Sequence, residues 1–229
     1  MARLHRNVKE GTHLSRDRIV ENAIAVADAE GLESVTIRRL AQEHQVTGMA
    51  LYRHFQDKEG LLNAIAEKLL ADVALPEINS LPWYQQMTEV LSQFLSALRP
   101  HPDLAELVLT RILLSEPGLT LAERVLLLLV NAGFPTELAA EIASYALSSL
   151  VALVTTKPGA SAKNPDPELR DAAIRQKKAS LTSLSPVRYP NLIAAADALS
   201  SCTNEDSYYA LGVDLVVAGI RGTKYFKKP

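Results

Sequence analysis

Residues 35–55 restrict the fold of this chain more than any other segment does. Apolar residues at helical spacing occur on both sides of a short polar stretch at residues 42–45, which leaves room only for a tight turn. Thr36 and Thr47 stand where the two helices would begin, and threonine is a preferred N-cap residue. The segment is therefore predicted to form two short helices joined by a tight turn, a helix-turn-helix.

The flanking sequence supplies the rest of a small helical head. Ser15 predicts the start of a helix and Gly31 its end, with apolar residues at helical spacing between them. Asp57 predicts the start of a fourth helix, which Pro76 terminates. We therefore expect a helix-turn-helix domain at residues 15–62.

The remainder of the chain also shows helical spacing and contains no convincing strand pattern. Proline and glycine separate the stretches predicted to be helical, which are 81–98, 103–114, 119–132, 136–156, 168–181, 189–200 and 205–221. Residues 157–167 are predicted to form a loop or a disordered linker. The predicted fold is all-α, with an N-terminal three-helix head followed by a larger helical domain at residues 63–229.

Residues 1–14 are polar and basic and show no apolar periodicity, which predicts a flexible arm. Two interpretations of the arm stay open. It is either a disordered terminus or an arm that reaches the phosphates or the minor groove of DNA.

The composition narrows the class of protein. Hydrophobic residues make up 48% of the chain, and the longest apolar run, at residues 125–130, is too short to span a bilayer. The N-terminus lacks the apolar segment of a secretory signal, and the single cysteine fits a reducing compartment. We expect a soluble cytoplasmic protein. The formal net charge is −2, so any binding to DNA depends on where arginine and lysine lie.

The second helix of a helix-turn-helix can enter the major groove of DNA. Residues 51–55 read Leu-Tyr-Arg-His-Phe and are followed by Lys58 and by the pair Leu61 and Leu62. This pattern resembles the end of the recognition helix in the TetR family of bacterial repressors. The resemblance, strong over residues 15–62, implies a repressor that binds double-stranded operator DNA.

The resemblance also implies individual DNA contacts. Arg38 matches a residue that reads a base, and an arginine bidentate to guanine is worth roughly 1–3 kcal/mol of discrimination. Positions that match groove-facing residues are Gly48, Met49, Ala50 and Arg53. Positions that match the phosphate side are Thr36, Thr47, Tyr52, His54 and Lys58. Because small side chains make few contacts with base edges, Arg38 and Arg53 are predicted to provide most of the sequence specificity.

Two residues of the turn depart from the family pattern. Gln45 occupies the position where the family has glycine, which would cost roughly 1–2 kcal/mol in a left-handed conformation. His44 replaces the usual apolar residue just before it. A structural helical hairpin unrelated to DNA therefore stays open as an alternative.

A weaker likeness at residues 131–134 and 211–219 resembles the tetracycline-repressor type of regulatory domain. It implies that a small effector binds in the larger domain and changes the separation of two reading heads, which requires the effector to favour one conformation. It also implies a homodimer through a four-helix bundle formed by residues 136–156 and 205–221 of each subunit. Gly212 and Gly219 are expected to allow a close approach between helices.

The candidate effector pocket is apolar, although plain core is the alternative interpretation for the same residues. The candidate lining residues are Met87, Leu91, Phe94, Leu107, Thr110, Leu126, Tyr145 and Leu150. The two histidines that hold the drug and its magnesium in the tetracycline repressors align with Val73 and Leu107. We therefore expect a small apolar or amphipathic effector other than magnesium–tetracycline.

Other classes of function have little support. No nucleotide-binding, hydrolase or zinc-protease motif occurs, so we expect no enzyme, no cofactor and no resident metal. His101 and Asp103, with Glu106 nearby, could suggest a metal site, but Asp103 is better explained as a favourable charge at the start of a helix. Arg111 could be either a surface residue or a counter-ion for an acidic effector. An interaction protein whose head has lost DNA binding is a further alternative, against which the presence of Arg38 and Lys58 argues.

Overall fold

The structure is a computed structural model that describes residues 14–159 and 167–223, so most of the predicted arm and linker lie outside the described residues. Within those ranges the chain is helical and has no strand, which confirms the all-α prediction. The helices are α1 Arg16–Glu30, α2 Ile37–Glu43, α3 Gly48–Tyr52, α4 Lys58–Ala71, α5 Trp83–Leu98, α6 Ala105–Arg111, α7 Glu116–Asn131, α8 Thr136–Thr155, α9 Pro167–Thr182, α10 Pro190–Ala194, α11 Ala196–Ser200 and α12 Glu205–Arg221.

Capping side chains determine where the helices of the head begin. The side-chain oxygens of Ser15, Thr36 and Asp57 each accept a hydrogen bond from the backbone N–H three residues further on. These bonds satisfy N–H groups that have no partner within the helix, and they confirm three predicted caps. Thr47 has the extended backbone of a cap, but its side chain makes no capping bond.

Several predicted helix boundaries were wrong. The recognition helix α3 ends at Tyr52, so Arg53 and His54 lie just beyond it, in a turn. The stretch predicted at 189–200 is two short helices that meet at Ala195. Helix α7 begins three residues earlier than predicted, because the Ser115 hydroxyl caps it and the proline that follows lies in its first turn, where it breaks no helical hydrogen bond.

The turn between α2 and α3 is closed by Gln45 in a left-handed conformation, with φ of 54°. The backbone N–H of Gln45 donates to the Gln42 carbonyl, and that of Val46 donates to the Ala41 carbonyl. These two bonds form the Schellman arrangement that usually ends on glycine. Gln45 is the one residue other than glycine with positive φ among residues 14–159 and 167–223.

Helix α4 joins the head to the larger helical body. It packs against α1 on the head side and against α5, α6 and α7 on the body side. Leu61 and Ile65 on this helix are fully buried in an apolar cluster that continues through Phe94 and Leu129 of the body. Head and body therefore share one continuous core. Helix α9, by contrast, has no buried residue and packs on α10 and α11.

Replacing Gln45 with glycine is expected to stabilise the protein by about 1 kcal/mol, because glycine adopts the left-handed conformation without the steric cost. Replacing Gln42, which lies in the regular helix α2, is the matched control, and glycine there should lower stability by about 1 kcal/mol. Urea unfolding of both variants measures the difference. A Gln45→Gly variant less stable than the wild type would contradict the assigned turn conformation.

Candidate functional site

The residues predicted to contact DNA lie on or next to α2 and α3 and at the start of α4, and none of them is buried. Met49 is 73% exposed and Tyr52 is 49% exposed, although both are large side chains with apolar surface. Between them on α3, Leu51 is fully buried and fixes the helix to the head. The exposed residues of the predicted set are Thr36, Arg38, Thr47, Met49, Tyr52, Arg53 and Lys58, and the half-buried ones are Gly48, Ala50 and His54.

The beginnings of α2 and α3 lie against each other. A Cβ atom added at Gly48 would lie 3.9 Å from Cγ2 of Ile37, which is ordinary van der Waals contact. Arg38 and Met49, the residues that follow Ile37 and Gly48, are both exposed.

Two adjacent arginines of α2 have different environments. The Arg39 guanidinium donates to Glu30 at 2.7 Å and also to Glu43, and these hydrogen bonds raise its pKa further above its ordinary value. The same contact lowers the pKa of Glu30. Arg38 and Arg53 are exposed, and neither forms an ion pair within the described part of the chain. Arg39 therefore fixes α2 to the end of α1, while Arg38 is available to a ligand.

His44 is the half-buried residue before the left-handed turn. Its Nε2 atom is buried and has no hydrogen-bond partner in the structure. Burial, and secondarily the positive charge of Arg18, lowers the pKa of His44 below its ordinary value. The imidazole therefore resists protonation in the folded head.

Polar contacts also cross from the body to the head. His101, just before α6, lies 2.8 Å from the Asp28 carboxylate of α1. Burial raises the pKa of Asp28, although its hydrogen bond to His101 offsets part of this effect. His101 is thus explained by a contact between domains. The described residues contain no group of three or more metal-ligating side chains suited to a metal ion.

Arg111 forms the second contact of this kind, which the sequence did not reveal. Its guanidinium donates to Glu59 at 2.7 Å and to the Asn63 side-chain oxygen at 3.0 Å, both on α4. Its side chain is 16% exposed, so it is neither the free surface residue nor the free counter-ion weighed from the sequence. Two residues separated by 52 positions carry no periodic signal that could have predicted this pair.

The predicted effector-pocket residues separate into two groups. Met87, Leu91 and Phe94 of α5 are fully buried, together with Leu150 of α8, and Leu107 is 5% exposed. Residues outside this buried group are half-buried Leu126 and the exposed residues Thr110 and Tyr145. Val73 and Leu107, the positions aligned with the tetracycline-binding histidines, are both buried in the apolar core.

Exposed apolar residues mark the outer faces of α8 and α12. Tyr145 is 72% exposed on α8, and Leu211 and Leu215 on α12 are 59% and 64% exposed. Gly219 is exposed and has open space around it. Gly212 instead packs inside the protomer, because a Cβ there would approach Leu153 of α8 to 2.3 Å. The expectation for Gly212 is therefore corrected: it permits α12 to pack on α8 of its own chain.

Helix α8 is long and apolar enough to cross a membrane by length and composition, with a mean hydropathy of 1.6. The core helix of a globular protein passes the same test. One face of α8 packs on α5, α6, α7 and α12, and this burial accounts for the apolar residues of that face.

Family models match both parts of the chain. Residues 19–65 match the model described as bacterial regulatory proteins, tetR family. Residues 75–223 match the model described as the tetracyclin repressor-like C-terminal domain. The two matches cover the head and the body respectively.

Individual relatives agree with these matches. The chain is 34% identical over 129 residues to the tetracycline repressor protein class E of Escherichia coli, covering 54% of this chain and 59% of that protein. It is 29% identical over 121 residues to an HTH-type transcriptional regulator of Saccharopolyspora erythraea, covering 53% and 51%. The chain thus spans about half the length of the curated relatives it matches.

Solved structures are similar over nearly the whole chain. The Streptomyces coelicolor TetR family protein ActR, in complex with (S)-DNPA, superposes with a TM-score of 0.71 at 29% identity, covering 92% of this chain and 98% of ActR. A possible TetR family transcriptional regulator from Streptomyces coelicolor A3(2) gives a TM-score of 0.72 at 27% identity, covering 90% and 98%. ActR in complex with actinorhodin is similar at a TM-score of 0.68 and 28% identity, covering 92% and 98%.

Replacing His44 with leucine is expected to flatten the pH dependence of stability. Folding lowers the pKa of His44 below its ordinary value of 6.5, so the folded protein favours the neutral imidazole. The contribution of neutral His44 to stability is therefore fully present above pH 6.5. It is lost as the pH falls through the lowered pKa of the folded state. Urea unfolding on both sides of this value should show a weaker loss at acid pH in the variant. A slope identical to that of the wild type would contradict the assignment.

Proposed function

This chain belongs to the TetR family of bacterial regulatory proteins, and from this we propose that it is a cytoplasmic transcriptional repressor released from DNA by a small effector. The observation that carries the proposal is the exposure of Arg38, Met49, Tyr52 and Arg53 on a helix-turn-helix whose turn is closed by Gln45. These exposed side chains do not contribute to the apolar core of the head. The relatives are transcriptional regulators rather than enzymes.

The proposed DNA contacts follow from the different environments of the head residues. Arg38 and Arg53 are exposed, which leaves both guanidinium groups accessible. Arg38 would donate two hydrogen bonds to a guanine, and Arg53 would make a second contact just beyond the end of α3. The Lys58 ammonium group and the Thr47 hydroxyl, which makes no capping bond to α3, are suited to bind phosphate oxygens. Base reading thus belongs to a few exposed side chains, and phosphate contacts set the register.

The proposed dimer uses the outer faces of α8 and α12. Tyr145 on α8 and Leu211 and Leu215 on α12 are exposed apolar side chains on two helices that pack on each other, and Gly219 of α12 has open space around it. A two-fold axis through this surface would place two heads on one pseudo-palindromic operator, with half-sites about one helical turn apart or somewhat more.

The proposed effector is a small apolar or amphipathic molecule. The related protein ActR is found in complex with (S)-DNPA and with actinorhodin. In this chain Met87, Leu91 and Phe94 of α5 are buried apolar residues of the body, and we take them as the candidate lining of an effector site. Buried apolar residues at Val73 and Leu107 provide no imidazole for magnesium–tetracycline. Since side chains fill the interior of the body, an effector must favour a conformation in which they move apart, and that conformation can bind DNA less well.

A selection of genomic fragments by the purified protein tests the proposal. We expect recovery of fragments that share a pseudo-palindrome, and actinorhodin serves as a first effector probe because ActR binds it. The single tryptophan, Trp83 at the start of α5, provides a fluorescence signal for binding in the body. Recovery of no fragment above background would exclude the proposed function.

Replacing Arg38 with alanine is expected to remove roughly 1–3 kcal/mol of discrimination between the operator and a variant with the contacted guanine changed. Replacing Lys58 with alanine should instead weaken binding to all duplexes alike and lower the salt slope by about 1. Fluorescence anisotropy with both duplexes at several salt concentrations separates the two effects.

The neighbouring Arg39 provides the control for this experiment. Because it is bound to Glu30 and Glu43, Arg39→Ala should lower the stability of the head without changing base preference. Base preference unchanged in Arg38→Ala, or lost equally in Arg39→Ala, would contradict the assigned contacts.

Replacing Leu215 with aspartate is expected to convert the dimer to a monomer, because a charge would be buried in the apolar interface. Leu169→Asp is the matched control, since Leu169 is 54% exposed on α9, outside the proposed interface. Light scattering at micromolar concentration measures the state of each variant. A monomeric wild type, or a dimeric Leu215→Asp variant, would rule out this interface.

A further inference from the structure

The turn of the helix-turn-helix contains a histidine that the proposed DNA contacts do not use. His44 ends α2 and directly precedes left-handed Gln45. Its Nε2 atom is shielded from solvent and has no hydrogen-bond partner among the residues that the structure describes. A neutral imidazole has one ring nitrogen without a proton, whereas a protonated imidazole has a donor on both nitrogens. Protonation in this position would therefore bury a donor that has no acceptor.

An open cavity of about 260 Å³ lies beside the ring. Burial lowers the pKa of the imidazole most, the Arg18 guanidinium of α1 lowers it further, and the Glu43 carboxylate of α2 opposes both effects. The cavity therefore offers a protonated ring room to turn outward and an acceptor at its edge. Its lining comes from the start of α1, the end of α2 and the turn: Leu14, Arg18, Glu43, His44, Gln45 and Val46.

The Glu43 carboxylate has another partner while His44 is neutral. It accepts a hydrogen bond from Arg39, which also donates to Glu30 at the end of α1. A protonated His44 would compete with Arg39 for this carboxylate, and the Arg39 contacts hold α2 to α1. The two pairings of Glu43 therefore correspond to two arrangements of the turn.

The position of the recognition helix α3 depends on this turn. The helix has five residues, and of these Leu51 alone is buried. The backbone N–H of Val46 donates to the Ala41 carbonyl and so connects the end of α2 to the chain that enters α3. His44 lies within the loop that this bond closes. A movement of its ring out of the head therefore changes the path of the chain into α3.

We propose that His44 makes operator binding sensitive to pH through the uptake of one proton in each head. The neutral ring packs inside the head, and α3 is then held in position for DNA. When the ring takes up a proton from solvent, it turns into the cavity toward Glu43, the turn loosens and the operator is released. His44 is thus a positioning residue that acts through α3, and the inference rests on the proposed function.

Acid is therefore expected to weaken specific binding, although it adds positive charge to the protein. Above the pKa of His44 in the folded head, operator affinity should not depend on this group. Below it, each pH unit should lower operator affinity by up to about tenfold per head, because the bound conformation excludes the proton. Charge alone predicts the opposite sign, since added positive charge strengthens binding to phosphates.

Fluorescence anisotropy from about pH 8 to about pH 5, at constant salt, tests the proposal with a selected operator duplex and an unrelated duplex. For the wild type, operator affinity should fall toward acid pH while affinity for the unrelated duplex does not. His44→Leu should bind like the wild type at about pH 8 and lose this fall, because leucine takes up no proton. His101→Gln, which removes the histidine that contacts Asp28, is the matched control and should retain the fall.

Two further variants separate the titration of His44 from a change in packing. Arg18→Gln removes a positive charge near the ring, so the fall should move to higher pH. Glu43→Gln removes the negative charge and should move the fall to lower pH, while Arg39 keeps its hydrogen bond to Glu30. Thermal unfolding shows whether each variant is folded. A loss of packing alone would not shift the midpoint in opposite directions.

The outcomes distinguish this inference from the proposed function. Operator affinity that does not fall in the wild type, or that falls equally in His44→Leu, would overturn the role of His44. A midpoint that stays unmoved in either Arg18→Gln or Glu43→Gln would overturn it as well. Failure of the wild type to bind any duplex selectively at about pH 8 would instead overturn the proposed function. A fall that is absent from His44→Leu and shifts as stated supports both.

Discussion

Helix α4 is buried between the head and the body, and both parts depend on this packing for their relative position. Leu61 and Ile65 are fully buried, and Leu69 is 2% exposed, within a cluster that includes residues of α1, α6 and α7. Apolar packing at interior density resists small displacements, so a rearrangement of the body moves α4 rather than being absorbed locally. The position of the head is therefore determined by the same contacts that bury the core of the body.

Polar pairs at the edge of this core connect the α6 region of the body to α1 and α4. His101 binds Asp28 at one end of the α6 region, and Arg111 binds Glu59 and Asn63 at the other. Partly exposed pairs of this kind contribute little to stability, but they fix geometry where apolar packing does not. The segment that carries α6 is thus attached to two different helices of the head.

Local chemistry made much of this fold predictable from the sequence. The caps at Ser15, Thr36 and Asp57 were predicted because each depends on its own neighbourhood in the chain. For Gln45 the sequence indicated the cost of a left-handed conformation, and the structure shows that Gln45 adopts it. The end of α3 was placed wrongly, because apolar Phe55 extends the helical pattern beyond the helix itself. Long-range contacts were also missed.

The interdomain contacts and the outward face of α8 show what the sequence could not reveal. Arg111 finds its partner 52 residues away, and no spacing rule links such residues. Tyr145 fits an apolar helical pattern equally well on either face, and only the packing of α8 shows that it points outward. The sequence indicates that a helix packs closely against Gly212. Only the folded structure shows that the neighbouring residue is Leu153 of the same chain.

A hydroxyl-radical footprint of the protein on its selected operator tests the central claim most directly. Two heads related by a two-fold axis should protect two half-sites on one face of the duplex, with centres about 34–36 Å apart or somewhat more. The protection should disappear with increasing salt and on unrelated sequences. A single asymmetric footprint, or equal protection of every sequence, would contradict a dimeric repressor that reads DNA through Arg38 and α3.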